Sequence, residues 1–316
     1  MRSKTMHTSE QEKLINKVEE YIENNLESPL SLKNLASIST YSPYHFQRIF
    51  KAQVGETPAN YVKRLRMEKA AHLLIYEHSV PITQIAFMCG FSSLSYFTTS
   101  FHTYFQCNPT NWREGAYLER FPREYADNSK KSKQLRNMEQ EQQNNNGYNK
   151  YQWLDLEKVK VMEFPVCTTV KKQNVGPYTQ GIPDVWETVY HWAKARDIIT
   201  DNTFIFGVPK SNPFITPAQM SRYDCHLAVE GLMGDTLETY QFKGGKHVVY
   251  EFDEPVDYVE RNKLIECYSE LYSFWLPKSG YKYLDNPMEL ITIKPKKGSL
   301  GVDVRVKAIA LAIEPK

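Results

Sequence analysis

One pattern occurs twice in the N-terminal part of this sequence: a short apolar segment, a tight turn, and a capped second segment. Ser31 can cap a helix Leu32-Lys33-Asn34-Leu35-Ala36, and after a turn around Ser39-Thr40-Tyr41, Ser42 can cap another with Pro43 at its first position. Ile82-Thr83-Gln84-Ile85-Ala86, the turn Cys89-Gly90-Phe91 and a helix from Ser93 to Thr103 repeat the arrangement. Two short helices and a tight turn make a helix-turn-helix. Between the copies, a run capped by Thr57 and Pro58 continues to about Glu77; at 1.5 Å per residue it spans on the order of 30 Å. Its apolar residues (Tyr61, Val62, Leu65, Met67, Ala70, Ala71, Leu73, Leu74, Ile75) spread round much of the circumference, as a helix wedged between two subdomains requires.

In the second helix of the first copy, Phe46, Ile49 and Phe50 fall at i, i+3 and i+4 and should face the core, which turns Tyr44, His45, Gln47, Arg48 and Lys51 outward. Arg48 offers a fork for guanine O6 and N7, Gln47 can read an adenine edge, Tyr44 can pack on a sugar or thymine methyl, and Lys51 can neutralise a phosphate. Taken alone, such a face is more often merely solvated. The second copy gives it weight, because the roughly 34 Å turn of DNA matches the length of the intervening helix. A net charge of +2 and a pI near 8.1 are only mildly basic, so a nucleic-acid surface has to come from local clustering.

The stretch Asp127 to Lys150, with Lys130-Lys131-Ser132-Lys133, Gln140-Glu141-Gln142-Gln143 and Asn144-Asn145-Asn146-Gly147, has almost nothing to bury and reads as a linker. The expected division is residues 8–116, a linker over 117–150, and a second domain over 151–316. With 41% hydrophobic and 24% charged residues, both domains should fold. Five scattered cysteines, never in a C-x-x-C pair, point to neither a disulfide framework nor a zinc ribbon; no metal and no cofactor is expected. Met1 to Glu12 is polar and no run is long enough to cross a bilayer, so the expected location is cytoplasmic, without a membrane partner.

After Tyr151 the texture changes to β-rich runs such as Val159–Phe164 and His247–Phe252, with two helical patterns over Ile182–Arg196 and Val256–Trp275. Each pattern follows a strand and precedes two more, which predicts a duplicated unit with a cleft between its copies. The fold class expected is therefore multidomain: an all-α double helix-turn-helix domain plus an α+β domain of two βαββ repeats. Aromatics with polar tips are dense here, among them Tyr178, Trp186, Tyr190, Trp192, Tyr250, Tyr268, Tyr272 and Trp275; singly each is best read as core, together they could line a pocket. Glu289 interrupts the apolar strand Pro287-Met288-Glu289-Leu290-Ile291-Thr292-Ile293, either on an exposed strand face or as a buried acid.

Over about Glu12 to Arg113 the chain resembles the AraC/XylS family of regulators. The resemblance rests on Leu32-x-x-Leu35-Ala36, the run Ser42 to Lys51, Gly55-x-Thr57-Pro58-x-x-Tyr61, Ile82-x-x-Ile85-Ala86-x-x-Cys89-Gly90-Phe91, Ser95-Tyr96-Phe97-x-x-x-Phe101 and Asn108-Pro109-x-x-Trp112-Arg113. It implies that Tyr44, Gln47 and Arg48 touch bases from the first unit and Leu94, Ser95 and Thr99 from the second; His102, on that second helix, is a further candidate for DNA contact. Double-stranded promoter DNA is the implied partner, and RNA polymerase a further one. The family usually has arginine where this chain has Thr99 and glycine where it has Cys107, so the first unit is expected to carry most base specificity.

Gly176-Pro177-Tyr178, Trp186, Arg222-Tyr223-Asp224, Gly244-Gly245-Lys246, and Trp275-Leu276-Pro277-x-Ser279-Gly280-Tyr281 followed by Pro287-x-Glu289 resemble the gyrase-inhibitor-like (GyrI-like) effector domains, over about Val159 to Pro315. The resemblance implies that Glu289 lies at the centre of the cleft and pairs with a cationic or polar group, while Tyr178, Trp186, Tyr190, Tyr250 and Trp275 pack on the ligand body. An amphipathic small molecule, a lipophilic cation in particular, would satisfy both the charge and the apolar surface. The expected function is thus a ligand-responsive transcription regulator and not an enzyme. Two rivals stand beside it: a hydrolase using Glu289 as general base, for which no Ser-His-Asp or metal constellation is present, and a protein-interaction module with no ligand.

Overall fold

Capping chemistry sets the helices of the N-terminal part. In the computed structural model, Ser31, Ser42, Thr57, Ser93 and Asn108 each accept the backbone N–H three residues on, at 2.8–3.4 Å. Pro43, Pro58 and Pro109 occupy first-turn positions, where no N–H is needed. The helices are α1 (Arg2–Asn24), α2 (Leu32–Ile38), α3 (Pro43–Val54), α4 (Pro58–Tyr76), α5 (Ile82–Met88), α6 (Leu94–Phe105) and α7 (Pro109–Arg113). The structure describes residues 2–117, 154–200, 202–230, 237–258, 260–284, 286–296 and 301–316. The chain divides into two units, Met1–Arg120 and Phe121–Lys316. The linker expected over 117–150 lies, beyond residue 117, outside the described residues.

In the first unit, Ile15, Val18 and Ile22 of α1 pack with Leu35, Ala36, Phe46, Phe50, Tyr61, Val62 and Leu65 in one buried cluster. A second aromatic stack, Phe97, Phe101, Phe105 and Trp112, joins α6 to α7, with ring centroids 4.4–5.7 Å apart. The buried Trp112 indole N–H donates to the Ala71 carbonyl of α4 at 3.2 Å. The 19-residue α4 thus carries both clusters and is buried nearly all round, as its apolar distribution predicts. It also buries charge: Arg64 pairs with Glu56 at 2.6 Å and Glu68 at 3.3 Å and lies 5.0 Å from the Tyr61 ring centroid. More than a spacer joins the two helix-turn-helix units. Arg66 of α4 donates to the carbonyls of Leu26 and Ser28 at 2.9 and 2.7 Å, and a Cβ on Gly90, in the second turn, would lie 2.4 Å from that same Leu26 oxygen. Gly90 has φ +76, so close approach and left-handed backbone both require glycine there.

Among its described residues the second unit is a nine-stranded antiparallel sheet, with one helix between its second and third strands and another between its sixth and seventh. Its strands are β1 (Lys160–Phe164), β2 (Cys167–Val175), β3 (Ile205–Pro209), β4 (Arg222–Ala228), β5 (Glu238–Phe242), β6 (Gly245–Asp257), β7 (Tyr281–Tyr283), β8 (Met288–Pro295) and β9 (Val302–Pro315). Spatially they run β1-β6-β9-β8-β3-β4-β2-β5, with β7 beside β9. Helix α8 (Ile182–Lys194) lies between β2 and β3 in sequence, and α9 (Arg261–Glu270) between β6 and β7. The helical pattern expected from Val256 starts later: Val256 and Asp257 still belong to β6, because after a register shift between Glu251 and Val256 that strand resumes pairing with β9 at Val306 and Arg305. Beyond Glu270 the backbone continues as a π-helical stretch, Leu271–Trp275. One sheet face packs Phe206, Val249, Met288, Leu290, Ala308 and Ala310. Strand alternation sends Glu289, between Met288 and Leu290, to the opposite face.

Candidate functional sites

On α3, Tyr44, Gln47, Arg48 and Lys51 are exposed, Tyr44 by 82%, while Phe46 and Phe50 are fully buried. His45, expected outward, is only half-exposed: its ring meets Tyr41 edge-on at 4.9 Å, and its Nδ1 lies 3.5 Å from the Arg48 guanidinium. Ile49, expected in the core, is half-buried at its margin. On α6, Leu94, Ser95, Thr99 and His102 are exposed. Exposed Tyr96 lies beside them, packed on Phe91 at 6.0 Å, and the sequence reading did not single it out.

In the second unit, strand register assembles the site. Tyr250 of β6 pairs with Ile309 of β9, Ile309 with Glu289 of β8, and Glu289 with Gly207 of β3; directly opposed residues share a face, so these four form one row across the middle of the sheet. Glu289 is fully buried. Its Oε2 accepts the Tyr223 hydroxyl at 2.6 Å and its Oε1 the Tyr268 hydroxyl at 3.2 Å. Tyr223 sits on β4, beyond β3, so its ring must cross that strand. Gly207 makes this possible: a Cβ there would fall 1.7 Å from the Tyr223 hydroxyl oxygen and 2.3 Å from its Cζ.

The ring of Tyr223 is then held edge-on by Tyr178 at 6.0 Å and by Tyr258 at 5.6 Å. The Tyr178 hydroxyl accepts the Ser211 amide at 3.0 Å and lies 2.7 and 2.8 Å from the carbonyls of Ser211 and Arg222. Its polar tip is therefore engaged by backbone, and its ring faces Tyr223. Burial, with the Asp224 and Glu289 carboxylates near it, holds the Cys225 thiol well above its usual range, so it has little nucleophilic character.

Of the aromatic residues expected around Glu289, Tyr178 reaches it through Tyr223 and Tyr250 shares its row. Trp186 and Tyr190 are buried on α8; half-buried Trp275 stacks on Tyr281 with centroids 6.3 Å apart. Among the described residues, none of these last three hydrogen-bonds to Glu289, and the Trp186 indole N–H has no hydrogen-bond partner. Tyr223 and Tyr268, which donate to Glu289, were not among the expected site residues, although Tyr223 stands in the Arg222-Tyr223-Asp224 motif and Tyr268 among the dense aromatics. No group of three or more His, Cys, Asp or Glu that could hold a metal occurs among the described residues, and none of their helices is long and apolar enough to cross a membrane.

A family model described as a helix-turn-helix domain matches residues 35–115, and one described as a GyrI-like small molecule binding domain matches residues 158–307. The multiple antibiotic resistance protein MarA of Escherichia coli is 37% identical over 99 residues, 31% of this chain and 77% of MarA. The probable transcriptional regulator LumQ of Photobacterium leiognathi is 36% identical over 96 residues, 30% of this chain and 38% of LumQ. A solved transcriptional regulator with an AraC-type DNA-binding domain, from Chromobacterium violaceum, is 33% identical with a TM-score of 0.31, covering 34% of this chain and 94% of that one. The chain spans well under two thirds of LumQ, and the likeness to each of these proteins is confined to about a third of its own length. The chain belongs to the AraC-type helix-turn-helix transcription regulators, and C-terminal to the helix-turn-helix match its residues 158–307 match the GyrI-like model.

Proposed function

We propose that this protein is an effector-responsive regulator: the first unit engages double-stranded promoter DNA in the bacterial cytoplasm, and the second binds an amphipathic, cationic small molecule. The single observation that carries the effector half is Glu289, an acid with no exposed surface in the middle of a sheet, ringed by tyrosines. A buried acid is costly unless a partner offsets its desolvation. A lipophilic cation complements both its charge and the aromatic surface, with Tyr178, Trp186, Tyr190, Tyr250 and Trp275 as the proposed wall. Binding is favoured over hydrolysis because both carboxylate oxygens of Glu289 accept tyrosine hydroxyls, an arrangement that holds the carboxylate in place and stabilises its charge instead of leaving it to take up a proton.

The domains are proposed to extend over 8–116 and 151–316. The second consists of two βαββ repeats, β2-α8-β3-β4 and β6-α9-β8-β9, with β7 added. The sheet order supports this: β2-β4-β3 and β6-β9-β8 read outward-in to the shared β3–β8 pair.

On the DNA side, Tyr44, His45, Gln47, Arg48 and Lys51 of α3 carry most base reading, with Leu94, Ser95, Thr99 and His102 of α6 placing the second unit. Contacts with RNA polymerase would follow from promoter binding. The test is a paired measurement on the full chain: gel mobility shift with promoter DNA, with and without a cationic dye, and calorimetry of the dye. Glu289→Gln should weaken a cationic ligand far more than a neutral one of similar shape while leaving DNA binding in the absence of dye intact. Equal loss for both ligands refutes the role given to Glu289.

A further inference from the structure

Glu289 is held unevenly. Tyr223 reaches Oε2 at 2.6 Å from a central strand, whereas Tyr268 reaches Oε1 at 3.2 Å from a helix. Hydroxyl donors usually stand about 2.5–3.0 Å from oxygen acceptors, so the Tyr268 contact is the weaker one. The two donors also differ in freedom to move. Tyr223 lies across Gly207 between Tyr178 and Tyr258. Tyr268 is in the last turn of α9, which runs directly into the π-helical Leu271–Trp275. Such wide turns are rare and concentrate at functional sites; the extra residue they hold is slack that a helix can take up by changing register.

Two residues beyond Tyr268, the buried Glu270 accepts the Leu154 amide at 2.9 Å, and Leu154 is itself buried. The next amide, of Asp155, donates to the Tyr250 hydroxyl at 3.4 Å, and Tyr250 shares the Glu289 row. Leu154 and Asp155 are the first residues of the second unit that the structure describes. This segment is pinned to the helix that supplies the weaker donor and to a strand neighbour of the glutamate.

Resting on the reading that Glu289 meets a cationic effector, we infer that Tyr268 is a displaceable donor that determines which cations act as effectors. A cation bearing an N–H replaces the Tyr268 hydroxyl at Oε1, because its hydrogen bond to the carboxylate joins two opposite charges and adds an attraction that a neutral hydroxyl donor cannot supply. Helix α9 then shifts and the Glu270–Leu154 bond opens. A quaternary cation has no N–H to give; it is held by charge and ring faces and leaves both bonds in place. Protonated amines are thus effectors, and quaternary ammonium ions are silent ligands of the same site.

A matched pair tests this on the full chain at neutral pH: protonated N,N-dimethyl-1-naphthylmethylamine and its N-methylated quaternary salt. Calorimetry reports binding, and amide hydrogen exchange across Leu154 and Asp155 reports the latch. Both probes should bind, and at saturation only the amine should speed exchange at Leu154, by about tenfold, the loss of one ordinary hydrogen bond. In Tyr268→Phe both should still bind, and the difference between them in exchange should vanish. Equal effects of the two probes on the wild-type latch, or an amine effect that persists in Tyr268→Phe, overturn the inference while leaving the binding site standing. Binding of neither probe sinks the cationic-effector reading and the inference with it.

Discussion

Replacing Gly207 by alanine should uncouple Tyr223 from Glu289, and the cost can be worked from three distances. A Cβ on Gly207 would stand 1.7 Å from the Tyr223 hydroxyl oxygen, 2.3 Å from Cζ and 2.7 Å from Cε1. The obstructed atoms belong to a buried ring packed by Tyr178 and Tyr258, so no small rotation relieves the clash and the ring must leave. Its 2.6 Å bond to Glu289 is then lost, leaving a buried acceptor short of a donor, worth about 1–3 kcal/mol. Overpacking adds a further ~1–3 kcal/mol. A total of about 3–4 kcal/mol corresponds to a fall on the order of 10 °C in the melting temperature of a domain this size. Calorimetric melting of the full chain, resolved into the transitions of its two units, measures it. Tyr223→Ala is the decisive background: with the ring gone, Gly207→Ala should become neutral or stabilise by about 0.5–1 kcal/mol, since Gly207 is not among the glycines with positive φ. If Gly207→Ala costs the same with Tyr223 present or absent, the ring does not cross that strand and the geometry argued for the site is wrong.

Arg48→Ala should weaken operator binding roughly 5- to 150-fold, the range for one bidentate base contact, whereas Thr99→Ala should cost less than about threefold; fluorescence anisotropy at fixed salt measures both, and the reverse order would reassign base reading to α6. Trp112→Ala should destabilise the helical unit by about 3–5 kcal/mol, because it empties the α6–α7 stack and deletes the bond to Ala71; a loss under 1 kcal/mol in denaturant unfolding would show that the stack does not bind α7 to α4. Burial holds the His72 imidazole down to about 4. Its folded value lies below the ordinary unfolded one near 6.5, so the unfolded chain takes up the proton first. Stability therefore falls as pH drops from about 6.5 toward 4, by about 2 kcal/mol between pH 7 and pH 5. His72→Gln should flatten that part of the urea-midpoint profile of the helical unit, and an unchanged slope would mean that His72 is not held neutral.

The helical unit was legible because its signals are local. Caps, first-turn prolines and the 3.6-residue period lie within a few positions of the elements they define, and Ser31, Ser42, Thr57 and Ser93 all cap where the sequence places them. What stayed hidden there depends on distant partners. The Arg66 bonds to Leu26 and Ser28 join residues about forty positions apart, and nothing in the run around Gly90 discloses that its missing Cβ makes room for the Leu26 carbonyl. The half-burial of His45 has a local cause that helical periodicity does not carry, since Tyr41, in the turn before α3, folds against it. In the second unit, the extension of β6 through Asp257 could not be read either, because a bulge breaks the alternation that would mark a strand.

Glu289 was legible as an anomaly but its burial was not, since alternation in β8 allows either face to be the wet one. Register decides: Met288 and Leu290 fall among the apolar residues of one face, and the face left to Glu289 is closed by tyrosines from β4 and α9. Tyr223 could not be connected to Glu289 from sequence, because the link passes over a third strand and through the absence of an atom at Gly207. Such a construction is expensive twice over. It places a glycine in a central strand, where a β-branched residue would pack better, and a carboxyl where a leucine would need no donors. A sheet selected for stability alone would contain neither. Both stand at directly paired positions of β3 and β8, so the sheet departs furthest from folding preference at the pair where the proposed effector site lies.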